Sequence, residues 1–562
     1  MGESSTDHGT KRSRRTRGSR QPDRRSFIES LGAGAVAAAA AQTFGAAALE
    51  GPAAEACDAL GPLSQRDRRE QALELRRAMA QLAHDRPLPD QICNGEEQDY
   101  PRVANFSKGL PHDAFGIAER EAYAALLTAL AAGRHEEFEA VPLGLGRKLT
   151  NPLAGVAFDL EGPDGQHATL PPAPRIDGPE NSAEMVELYW MALLRDVPFG
   201  SYPNLLLPAR AAHELSGLSD FRGPKKGGFV TPRTLFRGST PGDLVGPYVS
   251  QFLLLDIPYG SLTIAQRQTT LPAGLNYLTD YEDWLHVQNG GSTPPEARHP
   301  TKSYIRSGRD LAYYVRVDAL YEAHLNACLI LLGLGAPLDP GNPYAASATM
   351  TGFGTFGDPH VLSLVTEVAT RALKAVWFQK WFVHRRLRPE EFGGRIHNHI
   401  AGRASYPIDS EVLDSVALQR ILSAHGTALL PQAYADGCPT HPSYGAGHAT
   451  VSGACTTILK AWFDESWVLT DPLAPQPRGN GLVPYAGQDA DEITVGGELN
   501  KLAANISQGR NFAGIHWRSD YWESVRLGES IALGVLEEQM QTYSGDRASF
   551  TLTLFDGTRV TL

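Results

Sequence analysis

Cysteine is scarce in this chain. Five occur in 562 residues, at positions 57, 93, 328, 438 and 455, and no two stand at metal-ligand spacing. That excludes a cysteine-built metal site. So few, and an odd number, also argue against a disulfide framework. Cys438 and Cys455 flank a Gly-rich loop and could pair, but separate buried or free thiols fit better. A basic excess is missing too: the net charge is −12. Bulk nucleic acid is therefore excluded as a partner, because phosphate binding needs a basic face. After residue 50 no apolar run is long enough to span a bilayer, and no internal repeat is visible. What remains is an apolar fraction of 42%, enough for a packed core in one large domain or two.

Positive charge is concentrated in two places, the head of the chain and residues 380–388. The head, 1–48, reads as a targeting segment. Asp23-Arg24-Arg25-Ser26-Phe27-Ile28-Glu29 resembles a twin-arginine export motif, followed by an Ala-rich run ending at Ala46-Ala47-Ala48. The expected location is periplasmic or extracellular. Residues 49–97 form an extension with an amphipathic, Arg-rich helix, Ser64 to Ala83, that packs on the surface or on another subunit. From 98 to 562 the pattern is mainly α, with long Pro- and Gly-punctuated loops. Periodicity predicts helices over 117–133, 183–194, 310–332, 359–385, 409–424, 447–464, 491–512 and 516–542. A β-hairpin about Asp556-Gly557 closes the chain.

Three stretches carry chemistry. In Pro439-Thr440-His441-Pro442-Ser443-Tyr444-Gly445-Ala446-Gly447-His448, a turn opens a helix, and Gly445 and Gly447 let backbone approach a ligand closely. The N–H groups of a helix start then favour an oxyanion. Upstream, Lys380-Trp381-Phe382-Val383-His384-Arg385-Arg386-Leu387-Arg388-Pro389 gathers basic groups at a helix end. There Pro389 stops the helix and holds Arg388 extended. Downstream, Gly509-Arg510 to His516 and Asp520 places a carboxylate one turn past a histidine, able to orient its ring.

Together these segments resemble the signature of vanadium-dependent haloperoxidases and the phosphatidic-acid phosphatase type 2 superfamily. The eight-residue step from Lys380 to Arg388 is similar to the algal bromoperoxidase branch. So are Ser107 to Asp113, Val156 to Pro163 and Leu235 to Asp243, and the likeness runs from about residue 98 to the C-terminus. The resemblance implies a helical bundle with the site at one end and vanadate as cofactor. Lys380, Arg388, Arg510 and the Gly447 N–H would hold its oxygens, and His516 would bond its vanadium. By the same resemblance His448 is the acid–base partner, Lys380 polarises peroxide, and Asp520 backs His516. His441 lies beside the anion as a halide contact or backing residue. The implied reaction oxidises halide, bromide favoured, with hydrogen peroxide to hypohalous acid, which halogenates a small organic acceptor. The resemblance further implies a homo-oligomer. Calcium, present in algal relatives, is not carried over, because Gly341 to Gly357 contains no Asp or Glu.

Two other functions use the same residues. An exported phosphatase would take His516 as nucleophile and His448 as acid, and a non-catalytic protein would simply bind an oxyanion. The second follows from one departure: Ala446 stands where the family has Ser, and Gly445 where Pro is common. Losing a charge-assisted donor there weakens binding by about 1.5–3 kcal/mol. The remaining basic residues read blandly. His384, Arg385 and Arg386 form a solvated or backing face, and His397 and His399 are loop residues.

Overall fold

The structure, a computed structural model, describes residues 60–562. Residues 1–48, expected to be an export segment, and the first residues of the extension lie outside the described residues. Backbone contacts divide the chain into Met1–Glu70 and Gln71–Leu562, and the larger unit holds everything that follows. Helix α1 (Gln65–Asp85) begins in the smaller unit and has no buried residue. Its Ala72, Leu75, Met79 and Ala83 are half-buried at the three- and four-residue spacing of one helix face.

The remaining helices of ten or more residues are α2 (Arg120–Ala132), α3 (Pro179–Leu194), α4 (Leu206–Gly217), α5 (Gly308–Val317) and α6 (Glu322–Leu334). They continue with α7 (Asp358–Phe378), α8 (Pro389–Ile400), α9 (Val416–His425), α10 (Gly447–Trp462), α11 (Val495–Phe512) and α12 (Arg518–Met540). The bundle is α7, α10, α11 and α12, with α5 laid along α11. Every residue of α10 is buried except His448, and α11 is buried throughout. Helices α10 and α12 cross where both carry glycine. A Cβ on Gly453 would lie 2.0 Å from the Val525 carbonyl, and one on Gly528 would lie 1.9 Å from that of Thr450. Side chains there would force the helices apart and misplace their first turns, which carry the site.

Three antiparallel hairpins are the only paired strands among the described residues. The C-terminal one, Thr551–Thr553 with Arg559–Thr561, is the expected hairpin, turned by Gly557 at φ +90°. No single described helix is long and apolar enough to cross a membrane; α5 and α6 pass that test only as a pair bent by 99°.

Several boundaries differ from the periodicity. The helix expected over 310–332 breaks between Val317 and Glu322, where Asp318 turns extended at ψ 150°. The helix expected over 359–385 is α-helical only to Phe378. A wider π-helical turn, Gln379–His384, follows it and ends at Arg385 in the left-handed region, φ +43°. Pro389 opens α8 rather than stopping a helix: its missing N–H costs nothing at a first turn. His397 and His399 thus lie on a helix and not in a loop, each accepting a backbone N–H, from Ala428 and Tyr406. The 409–424 helix is two, Ser410–Leu413 and α9, divided where Ser415 caps α9. Helix α4 was not anticipated.

Candidate active site

The wide turn after α7 carries Lys380 into the bundle end, wholly buried. Its Nζ donates to the Pro442 carbonyl at 2.9 Å and lies 3.1 Å from His441 Nδ1. Burial first, then Arg388 and Arg510, hold the Lys380 ammonium well below the usual lysine range. Arg388 caps α8 in the extended backbone expected before proline, its N–H bonded to Glu391 at 3.0 Å. Its guanidinium reaches the Ile515 carbonyl and His516 Nε2, both at 2.8 Å, and His441 Nδ1 at 2.9 Å. Burial lowers it to about 10. Arg510, on the last turn of α11, donates to the Val315 carbonyl at 2.8 Å. Its Nε is buried without a partner.

His516 sits just before α12, and its Nδ1 donates to Asp520 at 2.7 Å. That bond fixes the tautomer: Nε2 is the lone-pair nitrogen, turned toward Arg388. Burial, then Arg388, Lys380 and Arg510, push its pKa well below the ordinary value. His441 Nδ1 faces two cations and so accepts, leaving the proton on Nε2; burial and then Lys380 depress it likewise. The ring lies 4.9 Å from that of Trp377. His448, at the α10 start, is the least buried member, its side chain 16% accessible. Its Nε2 is 3.1 Å from Asp318, so Nδ1 is the nitrogen left for a reacting group. Burial outweighs Asp318 and lowers its pKa.

Lys380, Arg388, Arg510, His516, His448 and His441 are therefore brought together, with Gly447 at the helix start among them. Buried cations, an unpartnered guanidinium nitrogen, free helix N–H groups and a lone-pair histidine nitrogen form a donor set for an oxyanion with an electrophilic centre. The glycines have a reason beyond ligand approach. A Cβ on Gly445 would lie 2.5 Å from Ser524 Oγ, which accepts the Ala446 N–H, and one on Gly447 would lie 3.1 Å from Trp377. Ala446 packs among Ala449, Ala503, Ala504, Tyr521 and Val525.

Of the two alternatives for His384, Arg385 and Arg386, a solvated or a backing face, the structure has the backing one. Arg385 pairs with Glu97, the His384 ring meets Tyr444 edge-on, and Arg386 is buried behind the cradle. Of the flanking stretches, the first buttresses the site: Lys108 is paired with Glu390 at 2.7 Å, beside Arg388, whereas the Gly162 N–H bonds Glu538 near the far end of α12. Cys438 and Cys455 are separate buried thiols.

Sequence comparison identifies relatives of the chain. A family model described as the VCPO second helical-bundle domain matches residues 420–545. The vanadium-dependent bromoperoxidase of Corallina officinalis is 39% identical, over 87% of this chain and 97% of that protein. That of Ascophyllum nodosum is 36% identical, over 83% and 87%. The chain belongs to the vanadium-dependent bromoperoxidase family. Among solved structures, the homohexameric second vanadate-dependent bromoperoxidase (AnII) of Ascophyllum nodosum matches with a TM-score of 0.86 at 29% identity. The match covers 93% of this chain and 95% of that one.

Four residues at the site of this bromoperoxidase-family chain had no individual role in the sequence reading. Asp318 lay inside an apparently continuous helix, and Trp377 was one apolar residue among several in the helix expected over 359–385. Ser443 had a small signal, a hydroxyl in the Gly-rich turn; it donates to Asp520. Arg386 had none that separated it from its basic neighbours.

Proposed function

We propose that this chain oxidises bromide with hydrogen peroxide to hypobromous acid, using vanadate as cofactor, and that the acid halogenates small organic acceptors. Kinship along nearly the whole chain supports the reaction class. The observation that carries it is the cradle: Arg388 reaches His516 Nε2, which Asp520 fixes as the lone-pair nitrogen, and buried Lys380 and Arg510 lie near enough to depress its pKa. Lys380, Arg388, Arg510 and the Gly447 N–H would hold the vanadate oxygens, and His516 Nε2 would bond the vanadium. When bound, vanadate supplies a Lewis acid that activates hydrogen peroxide without redox cycling of the metal.

The chain's own residues do the rest. Lys380, held in a dry site, donates a hydrogen bond where negative charge develops. His448 takes and returns a proton at Nδ1, while Asp318 keeps the ring oriented. His441 offers its Nε2–H beside the cradle as a contact for halide. The homohexameric neighbour supports a homo-oligomer. The Arg24-Arg25 motif before an Ala-rich run supports export by the twin-arginine route. The test is metal analysis after vanadate reconstitution, paired with bromination of a phenol probe. Stoichiometric vanadium with peroxide- and bromide-dependent turnover is expected; phosphate-ester hydrolysis without bromination would overturn the reading.

A further inference from the structure

We infer that Arg386 is a positioning residue for the histidine that bonds the cofactor, acting through Asp520; the inference rests on the vanadate reading above. Asp520 is fully buried. One of its oxygens, Oδ2, takes three donors: His516 Nδ1 at 2.7 Å, the Trp517 N–H at 3.1 Å and the Ser443 hydroxyl. Donors gathered on Oδ2 fix that oxygen but leave Oδ1, and with it the tilt of the carboxylate plane, unheld. Among the described residues, the one side chain that donates to Oδ1 is Arg386, at 3.1 Å.

Arg386 is itself immobilised. Its guanidinium donates to Ser519 Oγ at 2.8 Å, Asn181 at 2.9 Å and Glu184 at 3.1 Å, and lies 4.7 Å from the Trp517 ring centroid. Its carbonyl accepts the Ser443 N–H at 3.0 Å, and Ser443 is the residue whose hydroxyl reaches Asp520. Arg386 therefore holds Asp520 by two routes, one through each oxygen. A planar fork suits this: it bridges the Asp520 and Glu184 carboxylates in one geometry, which an ammonium cannot. Chain geometry separates two tasks within one short stretch. Arg388 faces the cradle, and Arg386 sets the plane in which His516 Nε2 points at it.

The competing role is charge balance: Arg386 would merely neutralise buried Glu184 and keep the protein folded. Vanadate binding to apoprotein by equilibrium dialysis, with melting temperature, distinguishes the two. A folding loss lowers the amount of vanadate bound but not the midpoint of the folded remainder, whereas mispositioning moves the midpoint. Arg386→Met is expected to raise the vanadate Kd by about 10- to 100-fold, the usual range for a partner that orients a ligand. Arg386→Lys, which keeps the charge and one donor, is expected to fall between. Arg386→Met combined with Glu184→Gln should recover melting temperature toward wild type while the Kd stays raised. Wild-type Kd in folded Arg386→Met, or recovery of Kd together with stability in the double variant, overturns the inference. Should Arg386→Met fail to fold, the Lys and double variants decide: wild-type Kd in both overturns it, and a raised Kd in either supports it. Failure of the wild-type protein to bind vanadate would instead sink the functional reading.

Discussion

His448 Nε2 lies 3.1 Å from Oδ1 of Asp318, the residue at which α5 leaves its helix. The pair ties the α10 start to the break between α5 and α6, and it leaves Nδ1 as the working nitrogen. Asp318→Asn should lower kcat for bromination by roughly 10- to 100-fold, because the amide no longer fixes the tautomer. Vanadate affinity should change far less, since Asp318 does not touch the cations. Steady-state bromination at saturating vanadate, beside a vanadate titration, checks both.

His516→Ala removes the nitrogen that faces Arg388 and leaves Asp520 bonded to Trp517 and Ser443. Vanadium retention and bromination should be lost together, with the fold kept by circular dichroism. Full activity in this variant, or in rigorously vanadate-free wild type, would remove the cofactor assignment.

Ala446 caps α10 without a side-chain bond. In Ala446→Ser the hydroxyl gains both a helix-capping role and an anion to donate to. Half-saturating vanadate in phosphate-free buffer should fall about tenfold, equivalent to about 1.4 kcal/mol. Turnover should rise less, since the bond serves ground and transition states alike. An unchanged midpoint would mean this side chain serves only the apolar cluster around Ala449 and Ala504.

Two buried histidines outside the cradle set an acid limit. Burial lowers His324 and His384 to about 3, and neither nitrogen of His324 has a partner. Their folded pKa lies below the unfolded one, so the unfolded chain binds the extra protons. Stability is full above about pH 6.5 and drains as pH falls toward 3, by up to about 1.4 kcal/mol per pH unit for each. Urea midpoints from pH 7.5 down to pH 5 should fall accordingly. His324→Leu should flatten the profile and add about 1–3 kcal/mol by removing unsatisfied polar atoms.

Export is tested apart from the folded domain. Changing Arg24 and Arg25 to lysine should leave the precursor inside the cell, because the twin arginines are read by a receptor. Fractionation and immunoblotting check this; unchanged export would remove the assignment.

Helix content, the three segments of the cradle and their fitness for an oxyanion were legible in the amino-acid order alone. Those features are local. A glycine-rich turn before an apolar run marks a helix start, Arg388 before proline must be extended, and Asp520 four residues after His516 falls within reach of its ring. Only the tertiary structure decided the rest. Asp318 lies far from His448 in sequence, and a continuous helix hid it because Tyr314, Val317, Leu320 and Tyr321 keep the three- and four-residue spacing across the break. Whether a helix breaks there depends on what its end can bond, and His448 supplies that partner. Arg385 and Arg386 are equal in charge and adjacent in sequence, so periodicity could not tell them apart. Burial beside Glu97, or beside Glu184 and Asp520, did, because a buried guanidinium goes where its acceptors are.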